Sequence, residues 1–320
     1  MRLALALLLI ASPARADYWK NLLAPDHVRA ERLVREGNAQ LSPALALGLL
    51  SSAGLPLEFA AQTKLAVEGA RTRFALAKQL DPTLREARLA HALTLAEDDE
   101  PSRRAAIDEL EALRALDPLY EAEQVAFQLG ILHARGRELD AARAEYERAL
   151  ALQCDPHRQP TVLLDLAEVL MFQGELARAR ALYERAAQEA DPNGRVLALW
   201  GSAVALDRMG EHAPALVTAR RAIASDRAPF AALQRAGVFF VPEYERDYYE
   251  ALGHLALAEI ERSQEDTREL TEELHQYRPK RNDAHALRAL RSFDRYVTSD
   301  GGEGPYAEDA REHILELTKP

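Results

Sequence analysis

The sequence predicts an all-α protein, a right-handed α-solenoid of stacked antiparallel helix pairs, and three observations support this prediction. Asp-Pro pairs recur along the chain, with their Asp residues separated by 36, 38 and 36 positions. Alanines recur with nearly the same period. The composition is dominated by Ala, Leu, Arg and Glu, which are good helix formers. A fixed period in this range is typical of helical repeat arrays, whose core lies between neighbouring repeats.

The two periodic series run in step. The Asp residues that begin the Asp-Pro pairs are followed by a fifth Asp, giving the series Asp81, Asp117, Asp155, Asp191 and Asp226. The alanines are separated by 36, 36, 37 and 36 positions and are Ala70, Ala106, Ala142, Ala179 and Ala215. Because proline lacks an N–H and clashes with the preceding turn, each Asp-Pro pair is predicted to end a helix.

The most regular repeat runs from Glu123 to Pro156. Its first helix carries Leu129 and Gly130, a turn is predicted at Gly136, and its second helix carries alanine, tyrosine and alanine at 142, 146 and 149. This order resembles the tetratricopeptide family, and units at 160–193 and 196–229 repeat it. The resemblance implies that small residues allow close helix contact and that the aromatic fills the space between repeats. The third unit departs from the pattern, because Ala219 replaces the aromatic.

The pattern divides the chain into four parts. Residues 1–16 are predicted to be a signal peptide, 17–55 N-terminal capping helices, 56–230 the repeat array, and 231–320 a C-terminal region of similar repeats. A capping helix is predicted at Asp26–Gln40, and a degenerate first helix at Pro43–Ser51. The C-terminal region contains a charged insertion at about 259–283, predicted to lengthen a helix pair, with a mobile loop as the alternative. A terminal helix is predicted to open at Pro305.

The N-terminus has the three parts of a secretory signal. Arg2 is followed by an apolar stretch from Leu3 to Ala11, which is too short to span a bilayer, and then by Ala-Arg-Ala. We predict cleavage between Ala16 and Asp17 and a periplasmic or secreted protein. Removing Arg2 and Arg15 takes the formal charge from −11 to −13, which argues against nucleic-acid binding. The alternative is an apolar first helix on a cytosolic adaptor.

The sequence contains no motif that predicts catalysis, a metal site or a cofactor. It has no Gly-rich phosphate loop, no His-Glu-x-x-His and no Gly-x-Ser-x-Gly. Cys154 is the only cysteine, so an intramolecular disulfide and a multi-cysteine metal site are excluded. We therefore predict a protein that is not an enzyme and binds no cofactor.

The resemblance implies a binding groove on the first helices, which line the concave face of tetratricopeptide arrays. The residues at the groove positions are predicted to bind a partner and are Phe127, Ile131, Arg135, Leu164, Glu168, Met171, Phe172, Trp200, Val204 and Arg208. The Lys and Asn of carboxylate-clamping members are absent from these positions, so the groove fits an amphipathic helix or an apolar peptide. The alternative is that these side chains pack against neighbouring helices.

A second candidate contact lies in the aromatic-rich stretch 238–249, where Tyr244 is predicted to bind a partner and Phe239 and Phe240 to fill gaps. The sequence thus predicts a non-catalytic scaffold that binds another envelope protein, with no transmembrane segment. The alternative from another class is an accessory or enzyme domain acting on cell-wall material, with its acids in the groove.

Overall fold

The computed structural model describes residues 25–46, 57–95, 99–152, 155–228, 230–234, 243–272 and 284–318. Only the backbone is described for 43–46, 57–62, 234, 243–244 and 260–272. The expected signal peptide, Cys154, Phe239 and Phe240 lie outside the described residues. The chain divides into two compact units, 1–132 and 133–320, and each is considered by itself.

The first unit consists of helix pairs. Its helices are α1 (Asp26–Ala46), α2 (Leu57–Leu80), α3 (Arg85–Leu95), α4 (Glu100–Leu116) and most of α5 (Ala122–Arg135). Helix α1 packs on α2, and α3 packs on α4. Phe74 of α2 is fully buried, and a Cβ added at Gly37 of α1 would collide with its ring. Glycine at 37 therefore allows the first pair to approach closely.

The second unit continues the same architecture. Its helices are α6 (Leu139–Ala151), α7 (Gln159–Phe172), α8 (Leu176–Glu189), α9 (Pro192–Arg208), α10 (His212–Ser225), α11 (Ala231–Gln234), α12 (Glu243–Glu272), α13 (Ala284–Thr298) and α14 (Ala307–Thr318), with a 3₁₀ turn at Asp300–Glu303. Neighbouring helices pack in sequence, and no strand occurs among the described residues. The predicted all-α fold of helix pairs is confirmed. None of the described helices is long and apolar enough to cross a bilayer.

The recurring Asp residues act through their carboxylates. At Asp81, Asp117 and Asp155 the side chain accepts a hydrogen bond from the backbone N–H two residues on, at 2.9, 3.1 and 2.9 Å. This Asx turn reverses the chain while the intervening proline fixes φ. At Asp191 the carboxylate caps α9 by accepting from the N–H of Gly194 at 2.7 Å. Helix α8 ends at Glu189, just before this pair, and Pro192 begins α9, so this Asp-Pro pair also starts a helix.

Each turn inside these repeats contains one residue with a positive φ, in the left-handed region. Arg137, Gly174 and Gly210 have φ of 60°, 78° and 75°. The sequence predicted the first of these turns at Gly136, but the following residue adopts the positive φ. Arg137 is one of the few non-glycine residues to do so, and this conformation is costly for an L-residue. Its guanidinium lies 4.6 Å from the centre of the Phe172 ring, a contact that glycine could not make.

The seams between repeats contain the predicted residues. Ala142, Tyr146, Ala179 and Tyr183 are all fully buried. A Cβ added at Gly201 of α9 would collide with the Tyr183 ring, which shows how closely the aromatic packs on the next first helix. The predicted packing of alanine and aromatic positions is confirmed in the second unit.

Two further predictions concern element boundaries. Helix α1 continues through Pro43 to Ala46, so a separate helix starting at Pro43 is wrong. The charged insertion is helical at least to Glu272, as the continuation of α12, which has 30 residues. Residues 273–283 lie outside the described part of the chain.

We predict that the seam sets the stability of the second unit. Tyr146→Ala should lower the free energy of unfolding by about 3–5 kcal/mol, because it leaves a cavity at a fully buried site. Ala142→Leu should cost about 1–3 kcal/mol by overpacking. Urea unfolding followed by circular dichroism measures both. Ala144→Leu, on the exposed face of the same helix, is the matched control. Wild-type stability in both seam variants would show that the repeat register is incorrect.

Candidate functional site

The predicted groove residues of the second unit form one surface, which we call the inner face. It comprises Leu164, Glu168, Met171 and Phe172 of α7 and Trp200, Val204, Asp207 and Arg208 of α9. The structure places most of them under the chain's own C-terminal residues. Leu164, Glu168, Met171, Trp200 and Val204 are buried, Phe172 is half-buried, and the Arg208 side chain is 9% exposed. The expected open apolar wall is therefore covered in this conformation.

Glu168 is the centre of the inner face. Its carboxylate is completely buried and accepts hydrogen bonds from three tyrosine hydroxyls. Tyr183 of α8 makes a short bond, Tyr249 of α12 lies 3.3 Å from both oxygens, and Tyr306 lies 3.3 Å from Oε1. A buried polar group is stable only when it is hydrogen-bonded. Glu168 thus joins its own repeat to the C-terminal region.

Arg208 holds the start of the last helix. Its guanidinium donates to the carbonyl oxygen of Met171 at 2.6 Å and to that of Pro305 at 3.2 Å. It also lies 4.5 Å from the centre of the Tyr306 ring and 3.6 Å from a carboxylate oxygen of Asp309. Phe172 contacts the same segment: its ring stacks on the ring of Tyr306, with centroids 6.0 Å apart. These contacts seat α14 on the inner face.

Trp200 fills a seam between elements. Its side chain has no solvent exposure and stacks on Phe230, with ring centroids 5.8 Å apart. A Cβ added at Gly253 of α12 would come within 2.8 Å of Trp200 and would collide with Phe230. The third repeat lacks its own aromatic at Ala219, and these two rings pack on the next long helix instead. Trp200 is therefore a core residue in this conformation, and its expected exposure is wrong.

The remaining predicted contacts lie elsewhere on the chain. On α5, Phe127 is 8% exposed, Ile131 is half-buried and Arg135 is exposed. Phe127 and Ile131 belong to the first unit and Arg135 to the second. Tyr244 begins α12, but its side chain is outside the described residues. Partner binding at all of these residues stays a prediction.

Asp207 of the inner face is the centre of a polar cluster that was not predicted from the sequence. The buried carboxylate of Asp207 accepts from the Tyr248 hydroxyl at 2.7 Å and lies 2.8 Å from Nε2 of His313 and 2.8 Å from Nδ1 of His212. Burial lowers the pKa of His313, but the hydrogen bond and charge of Asp207 outweigh it, so its pKa is raised. Burial likewise raises the pKa of Asp207, and its contacts with His313, Tyr248 and His212 lower it below its ordinary value.

Asp165, Glu168 and Glu245 are three of the acids in the second unit whose pKa values are raised. Burial and the charge of Glu168 raise the pKa of Glu245 to about 7, against the effects of Tyr296, Arg137 and Arg208. Desolvation and Glu168 also raise the pKa of Asp165 to about 7, although its side chain keeps partial contact with solvent. Burial raises the pKa of Glu168, while the three tyrosine hydroxyls oppose that shift. At Glu245 and Asp165 the interior thus favours the neutral acid up to about pH 7.

We predict that Trp200 stabilises the fold. Trp200→Ala should lower the free energy of unfolding by about 3–5 kcal/mol, because a large buried ring is lost. Trp200→Phe is the matched control: it keeps an aromatic ring against Phe230 and should cost clearly less. Urea unfolding of the three proteins measures this. An alanine variant as stable as the wild type would mean that Trp200 is not packed in solution as described.

We also predict that stability decreases as the pH rises from about 4.5 to about 7. The pKa of Glu245 is about 7 in the folded protein and 4.5 ordinarily, so the folded state binds this proton more tightly. The stability contributed by neutral Glu245 is complete below about pH 4.5 and is lost as the pH rises to about 7. One pKa unit corresponds to about 1.4 kcal/mol, so the loss is about 3 kcal/mol.

Urea unfolding at pH 5 and pH 7.5 tests this linkage. Glu245→Gln mimics the neutral acid and should reduce the difference in stability between the two pH values. If the wild type and the variant lose equal stability over this range, Glu245 titrates at an ordinary pKa.

Comparison with known proteins agrees with the fold. No protein-family model and no curated protein matches the sequence. Among solved structures, PilF of Pseudomonas aeruginosa is similar over 91% of this chain and 99% of its own, at 14% identity and a TM-score of 0.52. MamA matches over 51% of this chain and 85% of its own, at 22% identity and a TM-score of 0.44. The Cut9–Hcn1 structure from the APC/C matches over 91% and 46%, at 12% identity and a TM-score of 0.49. The neighbours are tetratricopeptide-containing proteins, and the chain has the tetratricopeptide-type all-α fold.

Proposed function

We propose that the protein is a non-catalytic scaffold that binds a helical segment of another cell-envelope protein on its inner face. One observation carries this proposal: the inner face already receives a helix, which is the chain's own α14. Tyr306 before this helix contacts Glu168, and His313 within it contacts Asp207. A surface that seats one helix through its side chains can seat another of similar chemistry.

The seated helix indicates what a partner must present. Helix α14 turns Ala307, Ala310 and His313 inward, and all three are buried. Small side chains allow close approach, while the tyrosine and histidine reach the two buried acids. The fitting partner is therefore an amphipathic helix with small residues flanked by hydrogen-bond donors, rather than a purely apolar peptide.

Binding at the inner face requires α14 to leave. Glu168, Phe172 and Arg208 contact Tyr306 or Pro305, and they lose these contacts when α14 leaves. Trp200 packs on Phe230 and against α12, so it stays in the core. Partner binding at Leu164, Met171 and Val204 stays a prediction. A partner then shifts the population towards this conformation by its differential affinity. Arg135 and Tyr244 are proposed to extend the contact within the second unit, and partner binding at Phe127 and Ile131 of the first unit stays a separate prediction.

The envelope location rests on the N-terminal sequence. Arg2, the apolar stretch and the Ala-x-Ala before Asp17 have the order of a cleaved secretory signal. N-terminal sequencing of the protein from its native host tests this part of the proposal. The expected first residue is Asp17, and a retained Met1 in a cytosolic fraction would contradict export.

The alternative of a wall-acting enzyme depends on the acids beside the inner face. The raised pKa of Glu245 suits a general acid near neutral pH. However, Glu168 and Glu245 are completely buried, and Glu168 is bonded by three tyrosines. This arrangement favours a structural role. Activity on wall fragments that disappears in Glu168→Gln without loss of folding would favour the enzyme.

Photocrosslinking in native envelopes tests the scaffold proposal. A photoreactive amino acid at Phe172 should crosslink to a protein partner, whereas one at Val217, exposed on α10, should not. Tyr306→Ala removes the contacts that seat α14, so it should raise the yield at 172 by about two-fold or more. Leu315→Ala, on the exposed side of α14, is the matched control and should leave the yield unchanged.

The crosslinking yields also distinguish the other outcomes. A yield at 172 that is the same in the wild type and both variants would show that α14 does not compete with the partner. Crosslinks at 217 and none at 172 would move the interface away from the inner face. Circular dichroism of each variant ensures that a lost crosslink does not reflect unfolding.

A further inference from the structure

Three side chains of the second unit bring metal-ligating atoms together. Asp207 lies near the C-terminal end of α9, His212 is the first residue of α10, and His313 lies on α14. One ligand atom from each lies within 4.8 Å of the others. In the part of the chain that the structure describes, no other group of three His, Cys, Asp or Glu side chains meets this condition. His313 lies 106 positions after Asp207, so the fold creates the cluster.

The cluster is a departure from the repeat pattern. The positions of Asp207 and His212 correspond to Met171 and Leu176 one repeat earlier, 36 residues back. Apolar residues serve packing at these positions, and a buried carboxylate there costs free energy unless it is compensated. The two polar residues occur together in the one repeat that faces His313. Packing alone does not explain this substitution.

The surroundings match those of metal ligands. The hydroxyl of Tyr248 donates to Oδ2 of Asp207 at 2.7 Å, which orients the carboxylate. Nδ1 of His313 lies 4.0 Å from a carboxylate oxygen of Glu316, on the side opposite to Asp207. Ligating histidines commonly direct their second nitrogen towards such a carboxylate. The side chains of Asp207 and His313 are 1% and 6% exposed, so both are held in place.

The cluster is open on one side. The His212 side chain is 43% exposed, and the three residues line a pocket of about 400 Å³ together with Leu216, Leu255 and Glu259. An ion can enter from this side, and water can occupy a remaining coordination position. Two imidazoles and one carboxylate with an open position form the ligand set of many zinc sites.

We propose that Asp207, His212 and His313 bind a transition-metal ion of the Zn²⁺ class, which fastens α14 to the third repeat. Calcium and magnesium are disfavoured because they prefer oxygen ligands throughout. Tetrahedral coordination with bonds of about 2.0–2.1 Å separates ligand atoms by roughly 3.3 Å. The two N···O distances of 2.8 Å must therefore widen only slightly, and exposed His212 has room to move. Binding replaces the two N–H···O bonds and releases any proton carried by the imidazoles.

The competing explanation is a His–Asp–His hydrogen-bond cluster without an ion. Both explanations predict that loss of His313 destabilises the fold, so stability alone does not separate them. Metal binding does, because only the proposed site takes up an ion in a defined stoichiometry. His212 is the informative residue, since its exposure allows replacement without disturbing the core.

The experiment uses the full exported chain without an affinity tag. Isothermal titration with Zn²⁺ against a competing chelator should show one ion per chain. His212→Ala should weaken binding by at least about 10–100-fold, the effect of losing even an outer hydrogen-bond partner of a ligand. His157→Ala, an exposed histidine in an inter-repeat turn, is the matched control and should bind as the wild type does. Co²⁺ should give the visible absorption of a four-coordinate site in the wild type and the control only.

Two outcomes would overturn the proposal. The first is absence of stoichiometric Zn²⁺ binding by folded wild-type protein. The second is equal affinity in the wild type, His212→Ala and the conservative variant His313→Gln, which would assign any uptake to adventitious surface groups. Neither depends on whether a protein partner binds the inner face, so this test is independent of the scaffold proposal.

Discussion

The buried carboxylate of Glu168 is the interaction on which the second unit depends. Three tyrosine hydroxyls from α8, from α12 and from the segment before α14 converge on it, the last from 138 residues away in sequence. Each repeat of a helical array normally contacts only its neighbours. Glu168 adds a long-range contact to that arrangement. Because a buried acid without partners is costly, the C-terminal region must occupy one position to satisfy it.

The repeats diverge where they meet the C-terminal region. Glu168 occupies the position of Ile131 and Val204, and Asp207 occupies that of Met171. Both acids accept hydrogen bonds from C-terminal side chains, Glu168 from Tyr306 and Asp207 from Tyr248. The regular positions, Ala142 with Tyr146 and Ala179 with Tyr183, instead build the seams between repeats. Periodic residues therefore specify the stacking of helices, and the exceptions specify what covers them.

This division explains what could be predicted from the sequence. The helix pairs, their fully buried alanines and tyrosines, and the helical start of the insertion follow from local periodicity, and the structure agrees. The burial of Trp200 could not be predicted, because it depends on Phe230 and Gly253, which lie outside its repeat. The cluster of Asp207 and His313 required a contact across 106 residues. Its available signal was an acid at a position that is apolar in the preceding repeat.

The chemistry of the covering contacts bears on how the inner face can open. Apolar contacts lose stability gradually with area, whereas a network of buried polar groups is stable only while every member is paired. If α14 leaves, Glu168 loses the Tyr306 hydroxyl and Asp207 loses His313, so partial release is disfavoured. Water or a partner must then supply the missing donors. A purely apolar helix would leave each acid without one of its hydrogen-bond partners, Tyr306 for Glu168 and His313 for Asp207. In the proposed function, the inner face therefore selects partners by their hydrogen-bond donors, with small inward side chains as a second requirement.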